Sequence, residues 1–136
     1  MHLHASCAAR DGAGVLLIGP PGSGKSDLLL RLLDHGFTLV ADDQVVLDAG
    51  VARAPDALAG LIEVRGLGIL HMRHLDSVRL ALVVAMGVGE RLPEPLDYLG
   101  LPLVHVDPSQ ASAPVRVAAA LRCATGEARL LAGAFA

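Results

Sequence analysis

The sequence predicts a single α/β domain organised around a phosphate-binding loop, and three observations carry that prediction. The chain has 136 residues, the size of one domain. Its pieces run strand, glycine-rich loop, helix from "GVLLIG" through "PPGSGKS" to "DLLLRLLD". Short apolar segments rich in Val and Leu then alternate with turn residues down the rest of the chain.

Taken in order, "LHASCAA" and "GVLLIG" read as two strands joined at Asp11-Gly12, a dipeptide suited to the positive φ angles of a tight hairpin turn. His4 is expected at the end of this hairpin opposite the loop. From Ser26 to Asp34, Leu28, Leu29, Leu32 and Leu33 fall at helical spacing, and Gly36 is placed to end the helix. "FTLVA" reads as a strand closed by Asp42-Asp43, "QVVLD" as another, and "AGVARAP" as a turn into a short one. "LIEVRGLGIL" is extended around Gly66 and Gly68, and "VRLALVVAMGV" is apolar enough to be a buried strand. "RLPEPLDYLGLP", with three prolines, reads as a loop; "LPLVHVD" reads as a late strand. A last helix is expected to begin at Pro114 and run to about Cys123, before a short Ala-rich tail.

Composition narrows the function classes. Two Phe, one Tyr and no Trp leave almost nothing on which bases could stack. The net charge is -3 and the Lys and Arg residues are scattered, so there is no electrostatic footprint for nucleic acid or an anionic membrane. The longest apolar stretch, Leu80 to Val88, falls far short of the roughly 18 to 20 residues of a spanning helix. The N-terminus lacks the apolar region of a signal peptide, and the expected location is the cytoplasm. Cys7 and Cys123, far apart and outside any metal-ligand spacing, are expected to be plain reduced thiols.

Gly19, Pro20, Pro21, Gly22, Ser23, Gly24, Lys25 and Ser26 fit G-x-x-x-x-G-K-[ST]. The glycines let successive backbone N–H groups face phosphates, Lys25 brings charge to the outer phosphates, and the Ser26 hydroxyl is a Mg²⁺ ligand. Nucleotide binding follows, with ATP and Mg²⁺ as the expected donor and metal. Such a site needs a carboxylate near the metal, ordinarily an Asp ending an apolar strand. "TLVADD" supplies it: Asp42 would hold the metal's water shell and Asp43 would project toward whatever attacks the γ-phosphate. Two adjacent acids also suit a solvated turn. Glu63 and Arg65 read either as a surface ion pair or as a metal and phosphate clamp beside two glycines.

Together these pieces resemble the C-terminal catalytic domain of the HPr kinase/phosphorylase family, bacterial P-loop enzymes that phosphorylate a serine on a small phosphocarrier protein. The matches lie in order: His4, "GPPGSGKS" starting fifteen residues later, "LVADD" at Leu39 to Asp43, and "EVRGLG" at Glu63 to Gly68. The phosphate loop alone is a weak family signal; its combination with "VADD" and "E-x-RGLG" is strong. The likeness covers residues 4 to 86 well and the remainder loosely. It implies a fold related to phosphoenolpyruvate carboxykinase, commonly assembled as a hexamer, and ATP- and Mg²⁺-dependent serine phosphorylation that regulates phosphotransferase-system signalling.

By that resemblance His4 and Lys25 match active-site residues, and Ser26 and Glu63 match magnesium ligands. Asp43 matches the proton acceptor of phosphorylation, which is the proton donor in reverse. Arg65 is expected on the phosphates or holding Glu63. Set against the family, the chain is expected to lack its N-terminal domain ahead of His4 and to have a shortened C-terminal part. Where the family usually carries "YDRLG", this chain has "LDYLG", with Tyr98 in place of the arginine; Arg91 is the neighbouring candidate to replace it. The family's basic "PVRPGRN" loop appears as "HVDPSQASAPVR". These departures predict kinase chemistry with phosphorylase chemistry weakened. Shortened forms of this kind resemble α-proteobacterial ones, whose implied partner is a nitrogen-type phosphocarrier. Two other functions fit the loop: a nucleotide-sensing module without turnover, and a P-loop kinase of a small metabolite.

Overall fold

The computed structural model describes residues 1–135. After a two-residue strand β1 (His2–Leu3), β2 (Ser6–Arg10) and β3 (Ala13–Ile18) form an antiparallel hairpin. Its turn is the expected one, with φ of 51° at Asp11 and 77° at Gly12. Helix α1 (Lys25–Leu33) follows the phosphate loop, stops at Asp34, and turns through Gly36 at φ 83°. Then come β4 (Thr38–Ala41), β5 (Val45–Asp48), β6 (Val51–Arg53), a single 3-10 turn at Asp56–Leu58, β7 (Leu61–Val64) and β8 (Gly68–His71). The long β9 (Val78–Met86), the short β10 (Asp97–Tyr98), β11 (Leu101–Val106) and α2 (Ala113–Ala124) complete the chain.

One mixed sheet dominates, in the order β1-β5-β6-β9-β3-β2-β4, with β11 on β9 and β10 on β11. Pairs β3–β9 and β9–β11 are parallel; the other named pairs are antiparallel. β7 and β8 form a separate hairpin, and Gly66 at φ 83° makes its turn. The proline-rich segment expected to be a loop does contain a strand, because Asp97 and Tyr98 pair with Pro102 and Leu101 across a turn with φ of 56° at Leu99 and 76° at Gly100. The last helix starts one residue early, with Pro114 second, where its missing N–H still costs no hydrogen bond.

Alternation along β2 and β3 sends side chains to two cores. On one face Ala8, Val15 and Leu17 meet Leu28, Leu29 and Leu32 of α1 and Val117 and Leu121 of α2. The three helical leucines are fully buried, each contributing roughly 1.5–3 kcal/mol of transfer free energy. On the other face Cys7, Ala9 and Leu16 pack with Val45, Leu47 and Ala52 of the β5–β6 arm. The tail docks through Ala134 and Phe135 rather than fraying, with Phe135 against the first core. Both cysteines are free; burial pushes the Cys7 thiol up to about 12. Among the described residues no helix is long and apolar enough to cross a membrane.

Candidate functional site

The phosphate loop leaves the end of β3, a strand with neighbours on both sides, and re-enters the fold as α1. Gly24 is the helix N-cap at φ 102°, a conformation that favours glycine, and a Cβ there would stand 3.0 Å from the Pro108 ring. Leu28 closes the first helical turn by donating its N–H to the Gly24 carbonyl at 2.9 Å.

Lys25 is 6% exposed, and its Nζ donates to the carbonyls of Gly19 at 2.7 Å and Pro20 at 3.1 Å. Those bonds tie the ammonium to its own loop and keep a buried charge hydrogen-bonded. The Ser23 hydroxyl is buried there without a hydrogen-bond partner. A cationic side chain, an unpartnered hydroxyl and a helix N-terminus at one loop are a donor set matched to an anion, and they fit a nucleotide's phosphates.

Asp42 follows directly on β4 and comes back beside the loop, as the strand-end argument requires. The Ser26 Oγ donates to its Oδ1 at 2.7 Å. The Ser6 Oγ donates to the same oxygen at 3.2 Å, and the Glu63 N–H points to Oδ2 at 3.4 Å. The pair Ser26–Asp42, one hydroxyl and one carboxylate at the loop's exit, is the oxygen-rich pairing that suits Mg²⁺ through one direct ligand and ordered waters. Glu63 reaches this cluster by its backbone; its side chain is exposed.

Asp43 turns the other way. Its φ is 69°, and its side-chain Oδ1 lies 3.3 Å from the His4 Nε2. Both side chains are about half exposed, at 53% for His4 and 58% for Asp43, so the pair is open to an incoming molecule. His4 does not stand at the far end of its hairpin. Ser6 is paired with Leu17, so the start of β2 and the exit of β3 share one end of the sheet, and His4 arrives beside the loop. His4, Ser26, Asp42 and Asp43 therefore converge, although Asp42 and Asp43 lie beyond the helix that follows the loop.

Among the described residues Arg65 makes no ion pair with these acids. It sits in the tight turn of the β7–β8 hairpin, exposed, and among the described residues it is paired with neither Glu63 nor any other acid. The turn closes by a hydrogen bond from the Leu67 N–H to the Val64 carbonyl at 2.9 Å, with Glu63 on the strand before it and Arg65 within it. Tyr98, at the position of the expected arginine, packs against the core on the side of the β5–β6 arm.

Two features carried no sequence signal. One is Ser6, fully buried, which accepts the Asp43 N–H at 3.2 Å while donating to Asp42. The other is the attachment of the segment after β11 to the helix that follows the loop. Asp107 caps its own turn by accepting from the Ser109 N–H at 2.9 Å and Ser109 Oγ at 2.7 Å. Those bonds hold its carboxyl below the usual range. Arg31 of α1 donates to the carbonyls of Pro108 and Gln110, strapping this segment onto the helix that carries the loop.

Comparison with known proteins accords with this geometry. Residues 1–84 match the family model described as the HPr serine kinase C-terminal domain. The HPr kinase/phosphorylase of Cupriavidus metallidurans is 40% identical over 122 residues, covering 75% of this chain and 38% of that protein. That of Xylella fastidiosa is 49% identical over 67 residues, covering 46% and 21%. The chain thus spans less than two fifths of the length of these curated relatives. Among solved structures, the Hpr(Ser) kinase/phosphatase from Coxiella burnetii superposes with a TM-score of 0.76 at 24% identity, over 93% of this chain and 92% of that one. That superposition shows the fold.

Proposed function

The chain belongs to the HPr serine kinase C-terminal domain family, and from that premise we propose that it is an ATP- and Mg²⁺-dependent protein-serine kinase acting on an HPr-like phosphocarrier. The observation that carries the reading is the divergence of two adjacent carboxylates: Asp42 is bonded to Ser26 of the phosphate loop, while Asp43 faces outward beside His4. A kinase for a protein hydroxyl needs that division, with one acid turned to the metal and one to the nucleophile.

On this reading the loop amides, Lys25 and the Ser23 hydroxyl bind the phosphates of ATP. Ser26 and Asp42 hold the magnesium, directly and through its waters, with Glu63 as a further ligand once its exposed side chain turns inward. Bound Mg²⁺ supplies positive charge that offsets the charge developing on the transferring phosphoryl group. Asp43 takes the proton of the substrate serine as its Oγ attacks the γ-phosphorus. The bond from that phosphorus to the β,γ-bridging oxygen breaks, and ADP leaves with the electron pair. His4, whose Nε2 lies 3.3 Å from the Asp43 Oδ1, fixes the direction of the carboxylate. The exposure of both side chains suits a substrate presented on another protein's surface.

The reverse reaction, attack of inorganic phosphate on phosphoserine, needs cations to hold the attacking dianion. Tyr98 in the arginine's position and "HVDPSQASAPVR" in place of the family's basic loop support a weakened phosphorylase. The carrier is of nitrogen type on this reading, the enzyme is cytoplasmic, and the family's hexamer is its model of assembly. The test is γ-phosphate transfer from labelled ATP to a purified HPr-like carrier by wild type, Lys25→Ala and Asp43→Asn. Transfer by the wild type, lost in both variants while Asp43→Asn still binds nucleotide, is the expected result. Binding without transfer by the wild type would instead make the protein a nucleotide sensor, and ATP consumption with small hydroxyl compounds alone would make it a metabolite kinase.

A further inference from the structure

We propose that Ser6 is a positioning residue whose buried hydroxyl sets Asp42 and Asp43 in their divergent directions; this rests on the kinase reading above. A hydroxyl has one proton to donate and lone pairs with which to accept. Ser6 uses both, donating to Asp42 Oδ1 and accepting the Asp43 N–H, each at 3.2 Å. Its partners lie 36 and 37 residues away in the chain, and the side chain is fully buried.

The neighbouring residue completes the hold. The Ala5 N–H donates to the Asp43 carbonyl at 3.2 Å, so Asp43 is held at its N–H by one residue and at its carbonyl by the next. Asp43 is a non-glycine residue at φ 69°, a conformation that persists only where surrounding contacts determine it. That left-handed turn swings its carboxylate away from Asp42 and toward His4. The same Ser6 bond pins Asp42 Oδ1, which also accepts Ser26. The alternation of β2 directs Ser6 to this place. Ala8, two residues on, faces α1, and Ser6 points the same way where the strand leaves the core. A shift of register between Cys7 and Ala8, where β2 pairs with β4, brings Ser6 level with the end of β4 and the acid pair.

Removal of the Ser6 hydroxyl leaves the Asp43 N–H without its partner and frees the turn. The substrate's serine then meets a misplaced base, while the phosphate loop is untouched. The experiment compares full-length wild type, Ser6→Ala and Ser6→Thr by three measurements: amide hydrogen exchange at Asp43 by NMR, affinity for a fluorescent ATP analogue with Mg²⁺, and steady-state transfer to an HPr-like carrier. For Ser6→Ala we expect faster exchange at Asp43, kcat down roughly 10- to 100-fold, and a much smaller loss of nucleotide affinity, because Asp42 keeps its bond from Ser26. Ser6→Thr, which keeps the hydroxyl, restores both exchange protection and kcat. Wild-type kcat and wild-type protection in Ser6→Ala would overturn the proposal, as would an equal loss of kcat and nucleotide affinity, which marks a general structural role. A wild type that transfers no phosphate overturns the kinase reading instead, and exchange at Asp43 then decides on Ser6 by itself.

Discussion

Asp43 and His4 meet at 3.3 Å although one follows β4 and the other precedes β2. Neither strand alone makes the pair. β2 lies between β3 and β4, so a residue just before β2 stands between the exits of both neighbours. A carboxylate held by an imidazole nitrogen has fewer orientations to lose when substrate arrives.

His4→Ala should therefore lower kcat for carrier phosphorylation about tenfold without weakening nucleotide binding, because it removes the orienter and keeps the base. Asp43→Asn should cost roughly 10²- to 10⁴-fold in kcat, since the amide cannot take the serine proton. Steady-state kinetics and nucleotide titration on the same preparations check both. Equal losses in the two variants would assign the proton transfer to His4.

Asp43→Gly should raise stability as it abolishes transfer. Glycine adopts φ near 69° without the cost an aspartate bears there, a gain on the order of 0.5–1 kcal/mol after its greater freedom in the unfolded chain. The exposed pair with His4 that it sacrifices is worth little. Thermal unfolding should show Tm higher by roughly 2–6 °C.

Gly24→Ala should impair the phosphate loop at both its hinge and its wall. An alanine must adopt φ near 102° and bring its Cβ to within 3.0 Å of the Pro108 ring. The strain costs about 1–3 kcal/mol of stability. Nucleotide affinity should fall at least tenfold, and isothermal titration with chemical denaturation separates the two effects.

Alkaline stability should carry the signature of Cys7. Its pKa rises from 9.0 to about 12 on folding because the thiolate would be buried without a partner. The folded state therefore holds a proton that the unfolded chain gives up above pH 9, and stability falls as pH rises from about 9 toward 12, by at most ~1.4 kcal/mol per unit from this group. Cys7→Ala should show a shallower decline of Tm over that range than wild type. In the folded protein at pH 8, a thiol reagent should modify the half-buried Cys123 well before Cys7.

Much of the fold was legible because its signals are local. Asp11-Gly12 names its own turn, the leucines of α1 declare a helical face, and Gly36 ends it. The phosphate loop and the acid pair are read from residue type and order. What escaped reading are contacts between distant segments. Nothing near Ser6 announces Asp42, and nothing near Pro108 announces Gly24, because such pairings leave no periodicity in either segment. β10 escaped for a related reason: two residues pair across a turn inside a proline-rich stretch whose composition argues against any strand. Arg65 shows the opposite error. Adjacency in "E-x-R" suggested partnership, and among the described residues the two make no ion pair.

Pro108 against Gly24 bears on where such a domain can be cut. The family model matches residues 1–84, yet one wall of the phosphate loop comes from the segment after β11, tied down by Arg31. A fragment cut at residue 84 would keep His4, the phosphate loop, "VADD" and "EVRGLG" and lose the wall that Pro108 gives the loop.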